Sequence, residues 1–287
     1  MWLTLPILAI NIFIASPVWT RPEIAAESTS LVSLEDGNGK HFCTGTAISE
    51  YKVITSASCL KSAPSNIKVR EGTTTDGHSR FIHSVSSICV HAKFNKQEAH
   101  ANDIGIIKLS DPFKFSNQFV PAKLAYATPE NLKFMKYAEI SGFSLGDNSE
   151  VNGIEAAFLP LVNDSYCIET HAGVEKHLGI ASDQICVGWN VIGPCAGDAG
   201  APLFYEGDLF AFVSHWQWGE DCDLIEAPAV FTLISHHRNW IDALLNDFDK
   251  SKKNKILAQC LPREVKKPPP PQVDPWYLRI MNGLLGD

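Results

Sequence analysis

The chain has 287 residues, enough for one large domain or two small ones, and 45% of them are apolar, which suits a packed core and excludes a disordered polymer. A formal charge of -8 with no long basic run excludes a phosphate-tracking nucleic-acid binder, which needs clustered Lys and Arg. The eight cysteines show no CxxC spacing, so zinc is not expected.

Residues 1–20, MWLTLPILAINIFIASPVWT, carry no charged side chain and turn polar at Arg21, as a secretory signal peptide does. An uncleaved membrane anchor is the alternative, against which Pro6 and Pro17 interrupt the run. No other segment is long and apolar enough to span a bilayer. Behind such a signal the cysteines are expected as disulfides, because these persist in secretory compartments. In the same compartment the Asn163-Asp164-Ser165 sequon becomes a glycan acceptor or, more plainly, a surface loop.

From Leu31 to Phe231 short β-rich runs alternate with Gly, Asn, Asp and Pro: LVSL, TAIS, YKVITSAS, FIHSVSSICV, DIGIIKL, LFAFVSHW and AVFTLIS. That spacing predicts an all-β barrel or sandwich. Ser235 to Phe248 predicts a helix with Trp240, Ile241, Leu244 and Leu245 on one face. Beyond it the composition changes, so the expected division is a signal peptide at 1–20, a globular domain at 21–248 and an extension at 249–287. Four prolines in KKPPPPQ read as a stiff polyproline II spacer, or as a ligand for an aromatic groove. The final VDPWYLRIMNGLLGD has an apolar helical face that either folds back on the domain or meets another protein. His236 and His237 are adjacent on a helix and face different ways, so they are not read as a metal site.

Four stretches together resemble the trypsin/chymotrypsin-like serine proteases. HFCTGTAIS followed by VITSASC is similar to that family's first-strand and histidine block, and HANDIGIIKL to the block carrying its buried aspartate. SDQICVGW, after Cys167, resembles the mid-chain disulfide stretch, and GPCAGDAGAPLF the nucleophile block GxCxGDSGGPLV. The likeness spans about 210 of the 287 residues. It implies a double six-stranded antiparallel β-barrel with a C-terminal α-helix, followed by a non-globular tail.

The resemblance also implies lost chemistry. In the family a serine attacks, a histidine takes its proton and an aspartate orients the histidine. Here those positions carry Ala199, Ser58 and Asp103. Alanine has no electron pair to offer a carbonyl, and a hydroxyl is no base near neutral pH. Losing nucleophile or base in such a triad costs roughly 10⁶ in turnover. Asp103 is then expected to be structural, satisfied by Ser58, Ser214 or backbone N–H groups, while Gly197 and Ala199 keep an oxyanion-hole-like pair of donors. His91 and His100 flank the aspartate block, and either one could approach the position vacated by the histidine.

The pocket is read as degenerate at Gly193, Gly197, Asp198, Ser214 and Ala229. Gly193 stands where the primary pocket sets its preference, and Ala201 and Ala229 replace family glycines and narrow open space. The only basic residue near a family-like activation site is Arg21, which precedes Pro22, so Asp198 is expected to find a partner other than a freed amino terminus or to leave its loop zymogen-like. Between Ser214 and Cys222 the chain is longer than the family pattern, with Trp216 and Trp218 in the extra length.

By resemblance, Cys43 pairs with Cys59, Cys167 with Cys186, and Cys195 with Cys222. Cys89 and Cys260 are left to pair with each other, or Cys260 bonds to a partner chain.

The function this implies is that of a secreted serine protease homologue, of a kind frequent in insects. Such a protein acts without catalysis as a cofactor, decoy or regulator in haemolymph or seminal fluid. The alternative is a secreted endopeptidase with an atypical mechanism. No cofactor is expected; the expected partners are other secreted proteins (proteases, inhibitors or receptors) and the expected state is a monomer.

Overall fold

The computed structural model describes residues 29–72, 81–125, 135–143, 154–174, 180–188, 193–215, 227–245 and 260–264. The signal segment, Trp216, Trp218, Cys222, the polyproline run and the apolar end lie outside them. Two six-stranded antiparallel barrels account for most of the described chain, matching the architecture implied by the resemblance.

The first barrel is built from β1 (Leu31–Glu35), β2 (His41–Ser49), β3 (Lys52–Thr55), β4 (Lys68–Glu71), β5 (Ile82–His91) and β6 (Gly105–Leu109). Its strands run in the order β5-β4-β1-β2-β3-β6, and a β5–β6 pairing closes it. Alternation sets the register: Val32 and Leu34 enter a core with Val53, Val69 and Ile107, while Ser33 and Glu35 take the opposite face. Glu35 there accepts two hydrogen bonds from Arg70, at 2.6 Å from Nε and 3.0 Å from Nη2.

The second barrel is closed in the order β10-β11-β12-β9-β8-β7. Its strands are β7 (Tyr137–Gly142), β8 (Glu155–Val162), β9 (Gln184–Val187), β10 (Pro202–Tyr205), β11 (Asp208–His215) and β12 (Ala229–Leu233). Ile140, Leu159, Leu203, Val213 and Phe231 fill it. A third cluster joins Ile54 and Ile104 of the first barrel to Leu209 and Phe212 of the second, and to Trp240, Ile241 and Leu244. The last three lie on α3 (Arg238–Leu245), so the face predicted for the terminal helix is the seal over the seam between barrels.

Two further helices matter for the site: α1 (Ala57–Ser62) and α2 (Asp164–Val174). Asn163 of the sequon is exposed, and its side chain caps α2 by accepting the Tyr166 N–H at 2.9 Å. A final strand, β13 (Cys260–Glu264), comes from the extension. It pairs antiparallel with Ser87–His91 of β5, whereas β4 covers only Ile82–Ser84. The extension thus supplies the ladder partner that β4 leaves missing, and closes an edge otherwise open to other chains. Pro262 suits an edge position, since it has no N–H to offer a further strand.

The disulfides Cys43–Cys59 and Cys167–Cys186 are formed as expected. Cys89 and Cys195 are also disulfide-bonded. The partner expected for Cys195, Cys222, lies outside the described residues. The backbone of β13 brings Cys260 level with His91, on the strand beside Cys89.

Candidate functional site

The site begins at the first turn of α1, whose initial N–H groups have no intrahelical acceptor. They are aimed at Asp103. Ser58 donates its N–H to Asp103 Oδ1 at 2.7 Å and its hydroxyl to Oδ2 at 3.0 Å, and the Ala57 N–H reaches the same carboxylate. From the second barrel, Ser214 donates to Oδ2 at 2.7 Å. The β11–β12 register slips between Val213 and His215, so Ser214 sits at a bulge that turns its side chain out of the ladder toward Asp103.

Asp103 is fully buried, and burial pushes its carboxyl up to about 6. Hydrogen bonds from Ser214, Ser58 and Ala57 oppose that shift without cancelling it. The donors expected for this carboxylate are therefore the ones it has. Ser58 stands where a base would be needed, and its hydroxyl proton is spent on the aspartate, with Ser56 Oγ 3.2 Å from its oxygen.

Ala199 lies in a tight turn from Cys195 to Ala201. Asp198 N–H donates to Cys195 O at 2.9 Å, Ala201 N–H to Asp198 O at 2.8 Å, and Gly200 N–H to Val213 O at 2.8 Å. Glycine is required at position 200: its φ is +84°, and a Cβ there would meet Thr55 Oγ1 at 2.1 Å and Thr44 O at 2.2 Å. The first barrel grips the same turn. Thr44 N–H donates to Ala199 O at 2.9 Å, and Gly197 O accepts from Thr44 Oγ1 at 3.0 Å. His41 adds Nε2 at 3.1 Å to Gly197 O, with its Nδ1 2.8 Å from Ser33 Oγ. Burial lowers the pKa of His41. The sequence reading missed this histidine; its only signal was the residue type opening β2.

Asp198 is buried and accepts the N–H groups of Phe143 and Cys195, each at 3.0 Å. It thus has backbone donors as partners, and its neighbouring turn is held. Gly193, Ala201, Ser214 and Ala229 are buried too, the last in β12 against the second core. Among the described residues the N–H groups of Gly197 and Ala199 donate to no acceptor. The arrangement pairs a formed turn and two free donors with a methyl group in place of a nucleophile.

A family model for trypsin matches residues 18–241. The chain belongs to the trypsin family. It is 28% identical over 261 residues to the "Trypsin, alkaline C" of Manduca sexta, covering 84% of this chain and 98% of that one. With the "Trypsin zeta" of Drosophila melanogaster it shares 30% identity over 213 residues, covering 72% and 75%. The solved structure of neuropsin, described as a serine protease expressed in the limbic system of mouse brain, superposes with a TM-score of 0.67 at 23% identity. That alignment covers 79% of this chain and 98% of neuropsin, and it shows the fold.

Other candidate ligand groups fall outside this turn. Cys167, His171 and Cys186 come within ligand distance of one another, but the two cysteines are joined as a disulfide, and a metal needs thiolates. His237 is buried and 2.8 Å from Asp183, also buried, so it is a structural hydrogen-bond partner. His91 packs edge-on against His237 and Trp240. His100 instead stacks on His215, the residue after Ser214. No helix among the described residues is long and apolar enough to cross a membrane.

Proposed function

We propose that this trypsin-family chain is a secreted protein that binds and does not cleave, regulating active proteases or shielding their targets in an extracellular fluid. The observation that carries this reading is the methyl group of Ala199 on an otherwise well-formed turn, with Ser58 hydrogen-bonded to Asp103 across from it. No electron pair is available on Ala199 to attack a carbonyl, and among the described residues no imidazole is hydrogen-bonded to Asp103 to take a proton. The N–H groups of Gly197 and Ala199, without an acceptor among the described residues, can still donate to a carbonyl or an anion, which is a binding function. Its partners on this reading are secreted proteases, inhibitors or receptors, and the protein works as a monomer without a cofactor.

A second reading, a secreted endopeptidase with an atypical mechanism, draws on the trypsin names of its relatives. A serine-directed fluorophosphonate and a broad peptide library separate the two. The binding reading expects no covalent adduct and no cleavage above buffer. An adduct on Ser58, or reproducible cleavage abolished by Ser58→Ala, would establish the second reading instead. Capture of partners from the native secretion, with the full chain and with a chain ending at Glu264, then tests whether the final apolar segment is the binding element. The cut is placed there because Cys260–Glu264 is a strand of the first barrel.

A further inference from the structure

The triplet Asn163-Asp164-Ser165 is the only Asn-x-Ser/Thr sequence in the chain with a centre other than proline, and the fold places it at one defined corner. It follows directly on the last residue of β8 and opens α2. All three of its residues are exposed.

The hydrogen bonds fix which way the Asn163 amide faces. The Tyr166 N–H, at 2.9 Å, needs an oxygen to accept it, so Oδ1 turns in toward the helix and Nδ2 turns out. Among the described residues Nδ2 makes no hydrogen bond. The cap and the free nitrogen are therefore different atoms of one side chain. A sugar on Nδ2 replaces one amide hydrogen; the group remains an amide, Oδ1 remains an acceptor, and the cap of α2 survives. The Ser165 hydroxyl also makes no hydrogen bond among the described residues, so it has no evident duty in the fold.

The corner is also late to form. An isolated helix of 11 residues is marginal in water, so α2 depends on its tertiary contacts. These include the Cys167–Cys186 disulfide, at a separation of 19 residues, and the bond from His171 Nε2 to Pro228 O at 2.8 Å, at a separation of 57. Until those later residues have been made, the triplet is an open stretch of chain that a modifying enzyme can bind in extended form. Once α2 has formed, Ile168, 46% exposed, lies one turn beyond Asp164 and Ser165, and a sugar ring can lie beside it.

We propose that Asn163 carries an N-linked oligosaccharide, joined at Nδ2 while Oδ1 goes on capping α2. The inference rests on the secreted reading above, since the transferase and its donor, an oligosaccharide on a lipid pyrophosphate, belong to the secretory pathway. In the transfer an Nδ2–C1 bond forms and the C1–O bond to the pyrophosphate breaks. The pyrophosphate leaves with the electron pair, and Nδ2 gives up one proton. The helix carries His171 about 12 Å from Asn163 along its axis. His171 meets His215 edge-on at 6.3 Å, and His215 follows Ser214. The oligosaccharide thus stands beside the Asp103–Ser214 site and narrows the side from which a large partner can approach it.

The test uses the full chain with its own leader, made in cultured mammalian cells and recovered from both medium and cells. Peptide N-glycosidase in heavy-oxygen water converts a glycosylated Asn into a labelled Asp, which peptide mass spectrometry locates. The expected result is a discrete fall in apparent mass on treatment, with the label at position 163. Ser165→Ala, which leaves the capping amide untouched, should abolish both the fall and the label, and Ser165→Thr should keep both. Asn163→Asp removes the attachment nitrogen but keeps a capping oxygen, so it should be unmodified and still folded by circular dichroism. A purely structural role for the corner predicts no change of mass in Ser165→Ala. If a variant fails to fold, the label on the unsubstituted chain decides the matter. Chain with oxidised cysteines and no label at Asn163 overturns the proposal alone, whereas chain held in the cytosol with reduced cysteines overturns the secreted reading with it. None of these outcomes depends on whether the protein cleaves peptides.

Discussion

Replacing Asp103 by Asn tests the charge at the centre of the site through its effect on stability against pH. The folded carboxyl titrates near 6, against an ordinary value near 3.8, because burial disfavours the ion. Between those two values the folded chain binds more protons than the unfolded one, so Asp103 makes stability fall as pH rises. The penalty is absent well below pH 4 and fully developed above pH 6. It amounts to about 3 kcal/mol, two units at roughly 1.4 kcal/mol each, and about 2 kcal/mol of it falls between pH 4 and pH 7.5. Asparagine carries no such dependence. Its amide also faces donors from Ser58 and Ala57, and this mismatch relative to the protonated carboxyl costs about 1–3 kcal/mol at every pH. The comparison to make is therefore the difference between variant and parent as pH changes, in which that constant cancels. Urea unfolding with disulfides intact, at pH 4, 5, 6 and 7.5, should show Asp103→Asn gaining about 2 kcal/mol on the parent across the range. Parallel stability profiles would show that Asp103 titrates normally and that its burial is not the cause assigned to it.

Breaking the buried Asp183–His237 pair by His237→Ala should cost about 3–5 kcal/mol, read as a fall in melting temperature, since it strands a charge without its partner. The hydrogen bond from His237 leads the interactions that hold Asp183 below the ordinary carboxylate range against the opposing effect of burial. Its stabilisation is thus present above about pH 4 and is lost as pH falls through the depressed folded value, a loss that His237→Ala should blunt. Gly200→Ala forces a Cβ into Thr55 and Thr44 at positive φ, and it should destabilise by more than about 3 kcal/mol or prevent recovery of folded protein, as measured by yield and denaturation midpoint. Non-reducing peptide mapping should recover a peptide linking Cys89 to Cys260; recovery of Cys260 on another chain would refute the intrachain pairing. Restoring Ser58→His and Ala199→Ser together should still give no protease of ordinary turnover on peptide substrates, because Gly193, Ala201 and Ala229 remain unrepaired in the pocket. Turnover typical of a digestive protease would refute that.

The short β-rich runs were legible in the sequence because they rest on local chemistry, whereas the double barrel, the two disulfides seen between described cysteines and the turn around Ala199 were legible through the resemblance of four motifs to the trypsin/chymotrypsin-like proteases. Alternating apolar residues set which face of a strand is buried, glycine marks the backbone that no side chain fits, and motif spacing carries a fold with it. The donors to Asp103 were legible for the same reason, as Ser58 and Ser214 lie at motif positions. What could not be read was whatever depends on groups far apart in the chain meeting in space. Cys260–Glu264 looked like part of an extension, since nothing local says that β4 stops at Ser84 of β5 and leaves the edge of Ser87–His91 opposite β6 without a partner. His41 reaches Gly197 across 156 residues, and His100, His171 and His215 belong to a loop, a helix and a strand. That these groups meet follows from the packing of the two barrels, which no local stretch of chain decides.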